Sequence, residues 1–315
     1  MSERYVWVED RHGTRLPYSK GLLASSIMTT GLPPEEAHKL AEAVELELWA
    51  RDQSTITSEE LVELASSVLA ERAGPEVASR YLAWRMAKRS ARPLIVLLGG
   101  ATGAGKSTIA TRLGTRLGIT RIIPTDAVRE VMRNIFATNL MPTLYVSSFQ
   151  AHTTLRAPVP EDHDAVVVGF RQQAEAVAVG LVGLIDRAVR ERTDLIIEGV
   201  HVLPGLFRQA ADRWGKEAVM TEVVLSVPDR QTHLAQLQAR GSDSELRQSS
   251  RYLEHFEEIR RIQRYIRRLA TSHGVPEVLS RGLDETIQDV LDFVVARVTE
   301  VRDELSAPGG VRLES

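Results

Sequence analysis

The feature that most constrains the fold of this chain is a glycine-rich segment at residues 100–107. It has the pattern Gly-x-x-x-x-Gly-Lys-Ser. The apolar run at 94–98 before it suits a buried strand, and residues 107–117 after it have the spacing of a helix with one apolar face. A strand, a glycine-rich loop and a helix in this order are the context that a phosphate-binding P-loop requires.

Phosphate chemistry explains these residue types. Glycines let the backbone N–H groups close around a polyphosphate, and the positive end of the following helix strengthens that field. Lys106 can reach the β- and γ-phosphates, and Ser107 can ligate Mg²⁺. We therefore predict ATP and Mg²⁺ as cofactors, with Lys106 catalytic, Ser107 the metal ligand and the nucleotide bound by Gly100, Ala101, Thr102, Gly103, Ala104, Gly105, Lys106, Ser107 and Thr108.

Composition narrows the class of protein. The chain has 315 residues and a net charge of −3, which allows roughly two domains and argues against a nucleic-acid partner. It has no cysteine, which excludes disulfides and thiolate metal sites. The first ten residues are polar, and no uninterrupted apolar run approaches the roughly 18 residues of a membrane helix. We expect a cytoplasmic protein with no membrane partner.

Residues 1–90 have the pattern of a separate, mostly helical domain. A short strand is predicted at 5–8, and helices are predicted at 19–30 and 34–49. Thr57, with Glu60 three residues later, predicts a capping box before a third helix, and Pro75 begins a fourth. We expect a P-loop kinase domain at 91–303 and a flexible tail at 304–315.

This N-terminal pattern resembles the ATP-cone domain, a small nucleotide-binding regulatory module. The resemblance rests on Arg11-His12-Gly13, on 17–21, on the helix end at 25–31 and on Arg80-Tyr81-Leu82. It implies that Arg11 and Lys20 contact phosphate. The alternative is a helical cap whose cations are solvated surface groups.

From residue 93 onward strands and helices alternate, which predicts an α/β fold: a P-loop NTPase parallel sheet with helices on both faces. Ligands in such sheets bind at the carboxyl ends of the strands. The strands are predicted at 94–98, 121–123, 195–198, 220–226 and 277–279.

Asp126 follows the second of these strands and is predicted to be catalytic. It could orient an acceptor hydroxyl and take its proton. Arg129 and Arg133 follow on one helix face and could bind a carboxylate or phosphate of the substrate. The alternative is an N-terminal helix aspartate with ordinary helix salt bridges.

A second acid, Glu198, ends the buried run at 195–198 and is predicted to act near Mg²⁺ or to orient a water molecule. His201 follows and could contact substrate, although a structural histidine fits as well. Arg171 is a further candidate anion contact. The irregular stretch 139–164 has the length and the Tyr and Ser content of a substrate loop.

The segment 240–251 has the arginines of a mobile lid. Arg240, Arg247 and Arg251 flank a polar break at 241–244, and closure could bring their charge to the transferring phosphoryl group. The basic helix at 260–268 is the feature that favours a nucleic-acid or protein partner, although the acids just before it weaken that interpretation.

Several blocks together resemble the 2-phosphoglycerate kinase family. They are the N-terminal module, the segment 93–110, Thr125-Asp126-Ala127-Val128-Arg129-Glu130-Val131-Met132-Arg133, 140–144 with Ser147-Ser148, Ile196-Ile197-Glu198-Gly199-Val200-His201, and 260–266. The resemblance implies ATP-dependent phosphorylation of the 3-hydroxyl of 2-phosphoglycerate to give 2,3-bisphosphoglycerate. The match is weakest at 240–251.

Two other functions stay open. The kinase could use another anionic polyol or hydroxy acid, such as an inositol phosphate, as its small-molecule anionic substrate. Alternatively, the chain could be a non-catalytic ATP-sensing regulatory protein. The group of Asp126, Arg129 and Arg133 favours a kinase, because a sensor needs no acceptor site.

Overall fold

The computed structural model describes residues 6–10, 13–51, 53–89, 92–239 and 246–306. The chain divides into two compact units. The first comprises residues 1–91 with 116–118 and 294–315, and the second comprises 92–115 with 119–293.

The first unit contains the four predicted helices. The capping box at the start of the third is confirmed: Thr57 Oγ1 accepts from the Glu60 backbone N–H at 3.2 Å, and a Glu60 carboxylate oxygen accepts from Thr57 N–H at 2.9 Å. Because two otherwise unpaired N–H groups are satisfied, the helix has a fixed start. The helices are α1 (Lys20–Met28), α2 (Pro34–Ala50), α3 (Ser58–Arg72) and α4 (Pro75–Arg89).

A three-stranded sheet accompanies these helices, where one strand was expected. β1 (Trp7–Glu9) pairs antiparallel with β2 (Arg15–Pro17) and parallel with β3 (Thr55–Thr57). β2 (Arg-Leu-Pro) and β3 (Thr-Ile-Thr) were missed because each contains a single aliphatic residue, which is too little to predict a strand. The core of this unit is formed by Ile27, Leu48, Ile56, Leu69 and Tyr81.

The second unit contains the predicted parallel sheet. Its strand order is β5-β6-β4-β7-β8, and every neighbouring pair is parallel. All five predicted strands are present to within one or two residues. They are β4 (Leu94–Gly100), β5 (Ile122–Pro124), β6 (Leu195–Gly199), β7 (Val219–Ser226) and β8 (Glu277–Leu279).

Helices pack against this sheet through two buried clusters. One joins β4 and β6 to the C-terminal half of α7 and to Trp214, and the other joins β7 to Phe170 and to α11 residues such as Ile259 and Ile266. The helices after the P-loop strand are α5 (Lys106–Leu117), α6 (Thr125–Ile135), α7 (Ala165–Arg190), α8 (Arg208–Glu217), α9 (Arg230–Gln238), α10 (Leu246–Glu254), α11 (Phe256–His273) and α12 (Leu283–Ser306), of which α12 belongs to the first unit from residue 294 onward.

Helix α7 bears on the expectation that the chain has no segment of membrane-helix length and composition. Among the described residues, it is long and apolar enough to cross a membrane by length and composition alone. A search for uninterrupted apolar runs misses it because Arg171 and Glu175 interrupt the run. Core helices of folded domains pass the same test, and α7 buries Phe170, Leu181 and Ile185 inside the second unit.

The predicted substrate loop is more regular than its sequence suggests. Two 3-10 helices, Pro142–Tyr145 and Ser148–Thr154, lie within it. The predicted break at 241–244 lies outside the described residues. Residues 304–306 of the predicted tail belong to α12, and the rest of that tail also lies outside the described residues.

Glu222 on β7 is a half-buried acid, and one of its carboxylate oxygens is buried. Its Oε1 atom has no hydrogen-bond partner among the described residues, and burial raises the pKa of its carboxyl to about 7. It lines a cavity of about 350 Å³ together with Leu97, Phe207 and Met220. The cavity lining also includes polar side chains, among them Arg208, so the raised pKa follows from burial of the carboxyl itself.

We expect Glu222→Gln to stabilise the protein more at pH 8 than at pH 5. The folded-state pKa lies above the unfolded value, so stability falls as pH rises from about 4.5 to about 7. The glutamine variant should remove that fall, which is on the order of 2–3 kcal/mol. Denaturant unfolding at both pH values measures it. The exposed Glu217→Gln is the control, and equal effects of both variants would contradict the prediction.

Candidate active site

Strand register brings the predicted site residues to one edge of the sheet. Glu198 on β6 lies opposite Leu98 on β4 and opposite Pro124 on β5. The P-loop begins at Gly100, two residues beyond Leu98, and Asp126 is the second residue of α6, which directly follows Pro124. The carboxyl ends of three neighbouring strands therefore present the P-loop, Glu198 and Asp126 side by side.

Two glycines of the P-loop are required by their surroundings. Gly100 has φ +143°, and a Cβ there would lie 2.3 Å from the Leu225 carbonyl oxygen. Gly103 has φ +90°, and a Cβ there would lie 2.8 Å from His233 Nε2. Both backbone conformation and space therefore exclude larger residues.

His233, a buried residue of α9, supports the P-loop from below. Its Nε2 donates to the Thr102 carbonyl oxygen at 2.8 Å, which leaves Nδ1 facing the Arg260 guanidinium at 3.4 Å. Arg260 also donates to the carbonyl oxygens of Val227 and Pro228. Arg260, a residue of the predicted basic helix at 260–268, therefore bonds to groups of its own domain.

The reactive face of the P-loop contains Lys106 and Ser107. Lys106 is buried, and its Nζ donates to the Ala101 carbonyl oxygen at 2.8 Å. Ser107 Oγ donates to a Glu198 carboxylate oxygen at 2.8 Å, and Glu198 is also buried. This hydroxyl and carboxylate are hard oxygen donors of the kind that Mg²⁺ prefers.

Asp126 and Arg129 stand on the first turn of α6. The Asp126 side chain is 69% exposed, whereas the Arg129 side chain is only 14% exposed, and Arg129 Nε donates to an Asp126 oxygen at 3.2 Å. Arg129 Nη1 also donates to the carbonyl oxygens of Leu144 and Val146. The carboxylate is therefore accessible, while most of the guanidinium is committed to the neighbouring loop.

These groups line one polar pocket of about 230 Å³. The loop at 139–164 is predicted as a whole to contact substrate, and three of its residues, Ser147, Ser148 and Phe149, line this pocket. Tyr252 on α10 was not predicted. The lining residues are Thr102, Lys106, Ser107, Pro124, Thr125, Asp126, Arg129, Ser147, Ser148, Phe149, Glu198, Gly199, Val200 and Tyr252.

Gly199 allows β6 to approach α6 closely. It has φ +156°, and a Cβ there would lie 1.8 Å from Thr125 Oγ1. The same Thr125 hydroxyl lies 2.9 Å from His201 Nδ1. Thr125 and His201 are both fully buried; Thr125 belongs to the pocket lining, whereas His201 lies behind it.

His201 does not line the pocket, contrary to its predicted role as a substrate contact. Its Nε2 lies 3.1 Å from Gln173 Oε1, so both ring nitrogens have protein partners. Burial lowers the pKa of His201 to about 4; the Asp126 carboxylate opposes the shift, and the positive charges of Arg129 and Lys106 add to it. The geometry favours a neutral, positioning histidine.

Arg133 and Arg171 also lie outside the pocket lining formed by the described residues. Arg133 pairs with Glu130 at 2.7 Å, and its guanidinium lies 5.1 Å from the Tyr145 ring centre. Arg171 pairs with Glu175 at 2.7 Å and faces a different cavity, of about 500 Å³. Helix periodicity predicts that Arg133 lies on α6 and Arg171 on α7, but it does not reveal the acidic side chains that pair with them.

One of the three arginines predicted to form a lid lies beside the pocket. Arg251 on α10 donates to Gln150 Oε1, and its guanidinium lies 5.8 Å from the centre of the Phe149 ring, which lines the pocket. Arg247 belongs to the same helix, but its side chain lies outside the described residues, as does Arg240. In the first unit, Lys20 pairs with Glu45 at 3.2 Å, and Arg11 lies outside the described residues.

Gln173 is the residue that sequence reasoning missed most clearly. It is fully buried on α7, where it donates to the carbonyl oxygens of Thr143 and Val146 in the substrate loop. Its position could have been found, because it is a polar residue in the apolar stripe of Phe170 and Val177 at helical spacing. Buried polar groups need partners, and here the partner is the loop.

Comparison with family profiles identifies both units. The family described as an ATP cone domain matches residues 7–90, and the family described as an AAA domain matches residues 95–269. With the P-loop, the parallel sheet and the acid-lined pocket, these matches define the protein as a P-loop kinase, an ATP-dependent phosphotransferase.

Curated relatives narrow this class to one family. A 2-phosphoglycerate kinase of Methanopyrus kandleri is 38% identical over 304 residues, covering 96% of this chain and 91% of the relative. Those of Methanothermobacter thermautotrophicus and Thermococcus kodakarensis are 40% and 39% identical, covering 87% and 91% of this chain and 89% and 96% of the relatives. The chain belongs to the 2-phosphoglycerate kinase family.

Solved structures give only distant likenesses. A gluconokinase from Sinorhizobium meliloti aligns with 68% of this chain and 98% of its own, at 15% identity and a TM-score of 0.40. A shikimate kinase from Acinetobacter baumannii aligns with 67% of this chain and 97% of its own, at 18% identity and a TM-score of 0.38.

We expect His201→Asn to reduce the loss of stability in acid. The folded-state pKa of His201 lies below the unfolded value of 6.5, so the unfolded chain binds a proton that the folded chain does not between about pH 6.5 and 4. At pH 4.5 this difference amounts to roughly 2–3 kcal/mol. Asparagine removes the titration and keeps an oxygen that can accept from Thr125.

Denaturant unfolding at pH 7 and pH 4.5 measures this effect. The exposed His38→Asn serves as the control. An acid-induced loss of stability as large in His201→Asn as in the wild type would contradict the assigned burial of a neutral ring.

Proposed function

We propose that the protein transfers the γ-phosphoryl group of ATP to the 3-hydroxyl of 2-phosphoglycerate, giving 2,3-bisphosphoglycerate. The observation that supports this proposal best is the position of Asp126. Its exposed carboxylate lines the same pocket as Lys106 and Ser107 of the P-loop. An acceptor hydroxyl bound there lies next to both a proton acceptor and the phosphate site.

In the proposed reaction the acceptor oxygen forms a bond to the γ-phosphorus as the bond from that phosphorus to the bridging oxygen of ADP breaks. Asp126 orients the hydroxyl and takes its proton. Lys106 stabilises negative charge on the phosphoryl oxygens. These roles follow from the pocket lining, with Glu198 acting through its bond to Ser107.

The proposed acceptor, 2-phosphoglycerate, has a carboxylate and a phosphate, and both groups need hydrogen-bond donors in the pocket. Ser147, Ser148 and Tyr252 supply hydroxyl groups to the pocket. Arg129 supplies a positive charge, although part of its guanidinium already donates to the loop carbonyl oxygens. The lid arginines would complete this set, with Arg251 nearest among those described. Arg133 and Arg171 have acidic partners and contribute less to the proposal.

The residues present fit a magnesium ion. Ser107 and Glu198 provide adjacent oxygen atoms beside the P-loop, and nucleotide phosphates would supply further oxygens. No cluster of three or more His, Asp or Glu side chains suited to a metal occurs in the part of the chain that the structure describes. Held by Ser107 and Glu198, Mg²⁺ would supply positive charge against the phosphate oxygens. We further propose that the protein is cytoplasmic.

A transfer screen tests the acceptor. ATP and Mg²⁺ are supplied with 2-phosphoglycerate, 3-phosphoglycerate, glycerate or inositol phosphates, and product formation is measured. We expect transfer to 2-phosphoglycerate above the others. Strong transfer to a different compound would move the proposal to that anionic polyol or hydroxy acid. No transfer with ATP binding intact would favour the ATP-sensing alternative.

Asp126→Asn tests the catalytic role. We expect turnover to fall by about 100-fold or more, because amide nitrogen and oxygen cannot accept the proton, while ATP affinity stays within about twofold. Steady-state kinetics and nucleotide titration measure the two effects. The control is Asp162→Asn, an exposed acid whose pair is His163. Wild-type turnover of Asp126→Asn would remove this residue from the reaction.

A second nucleotide site is supported by the match of residues 7–90 to the ATP cone domain. We expect the wild-type chain to bind two equivalents of ATP and Lys106→Ala to bind one, because only the P-loop site depends on Lys106. Isothermal titration measures the stoichiometry. A Lys106→Ala chain that binds no ATP would contradict a nucleotide site in the first unit.

A further inference from the structure

A buried hydrogen-bond network lies beneath the candidate acceptor pocket and centres on Gln173. This side chain is 0% exposed and is the polar member of the buried residues of α7. Its amide nitrogen donates to the carbonyl oxygen of Thr143 and, at 3.0 Å, to that of Val146. Both of its N–H groups are therefore used on the segment that leads to the pocket wall.

Arg129 holds the same segment from the other side. Its Nη1 donates to the carbonyl oxygens of Leu144 at 3.0 Å and Val146 at 2.9 Å. The Val146 carbonyl therefore accepts two hydrogen bonds, one from each residue, which uses both of its lone pairs. The next three residues, 147–149, line the pocket.

The other end of the Gln173 amide fixes a histidine tautomer. Because the amide nitrogen must face the two loop carbonyls, Oε1 faces His201 Nε2 at 3.1 Å and can only accept. His201 Nε2 is then protonated, and Nδ1 accepts from the Thr125 hydroxyl at 2.9 Å. Thr125 directly precedes Asp126, so the chain of bonds joins the substrate loop to the start of α6.

We propose that Gln173 is a positioning residue that determines acceptor binding, by holding the loop wall 147–149 at a fixed place relative to Asp126. The inference rests on the proposed function, because it assigns the acceptor to this pocket. Gln173 itself does not line the pocket among the described residues. It acts through the loop carbonyls and, by way of His201 and Thr125, through α6.

The nucleotide side of the pocket has separate support. The P-loop is held by His233 and by its place between β4 and α5, and none of these contacts involves Gln173. A displaced loop wall therefore should weaken acceptor binding while leaving ATP binding unchanged. Misplacement of a bound reactant by about 1 Å is enough to reduce the rate substantially.

The first test replaces Gln173 by methionine, which has a similar length and no hydrogen-bonding amide. We expect the KM for the acceptor to rise by about tenfold or more and the KM for ATP to change by less than about twofold. Hydrogen–deuterium exchange of the peptide covering 139–155 should become faster. The matched control is Gln172→Met, an exposed neighbour on the same helix.

A second variant, Gln173→Glu, separates positioning from general destabilisation. An ionised carboxylate repels the carbonyls of Thr143 and Val146, whereas the protonated acid can donate to one of them. The titratable group that faces this position is His201, whose ring also contacts Thr125 and feels the charges of Asp126, Arg129 and Lys106. We expect its acceptor KM, divided by the wild-type value at the same pH, to fall between pH 8 and pH 6.

These measurements test the positioning role of Gln173. An unchanged acceptor KM in Gln173→Met, or equal rises for acceptor and ATP, overturns the positioning role. A pH-independent KM ratio in Gln173→Glu also overturns it. If the wild type transfers nothing to 2-phosphoglycerate, the proposed function fails. The exchange comparison then decides alone: faster exchange in Gln173→Met than in Gln172→Met supports the role, and equal exchange overturns it.

Discussion

The hydrogen bond between Ser107 and Glu198 is the interaction on which the candidate site depends. It joins the first turn of α5 to the end of β6, and it can form because β4 and β6 pair in the register that places Glu198 beside Leu98. A shift of one residue would turn Glu198 to the other face of the sheet. The phosphate site and the acidic edge are therefore set by the same strand pairing.

The same edge shows how a parallel sheet can keep buried charged side chains hydrogen-bonded. Lys106 and Glu198 are both buried, yet each has a hydrogen-bond partner. Arg129 is mostly buried and bonds to two carbonyl oxygens and to Asp126. Buried charges are tolerated only when they are paired or hydrogen-bonded. The charged side chains at this edge therefore depend on the backbone carbonyl oxygens that accept their hydrogen bonds.

Much of the fold and part of the site could be predicted from the sequence. The five parallel strands, the P-loop and the Thr57 capping box follow from local patterns, and the pocket contains the predicted Lys106, Ser107, Asp126, Arg129 and Glu198. The three-residue strands β2 and β3 have no detectable period. The partners of Arg133, Arg171 and His201 are set by tertiary packing, which residue spacing does not reveal.

The contact between Gly199 and Thr125 has a consequence for how this sequence can change. A side chain at 199 would occupy the space of the Thr125 hydroxyl, and that hydroxyl is also the partner of His201. A larger residue at 199 thus requires loss of the Thr125 hydroxyl, and that loss leaves the histidine without its donor. The three positions are therefore coupled, and we expect single substitutions to be disfavoured and compensated exchanges to occur together.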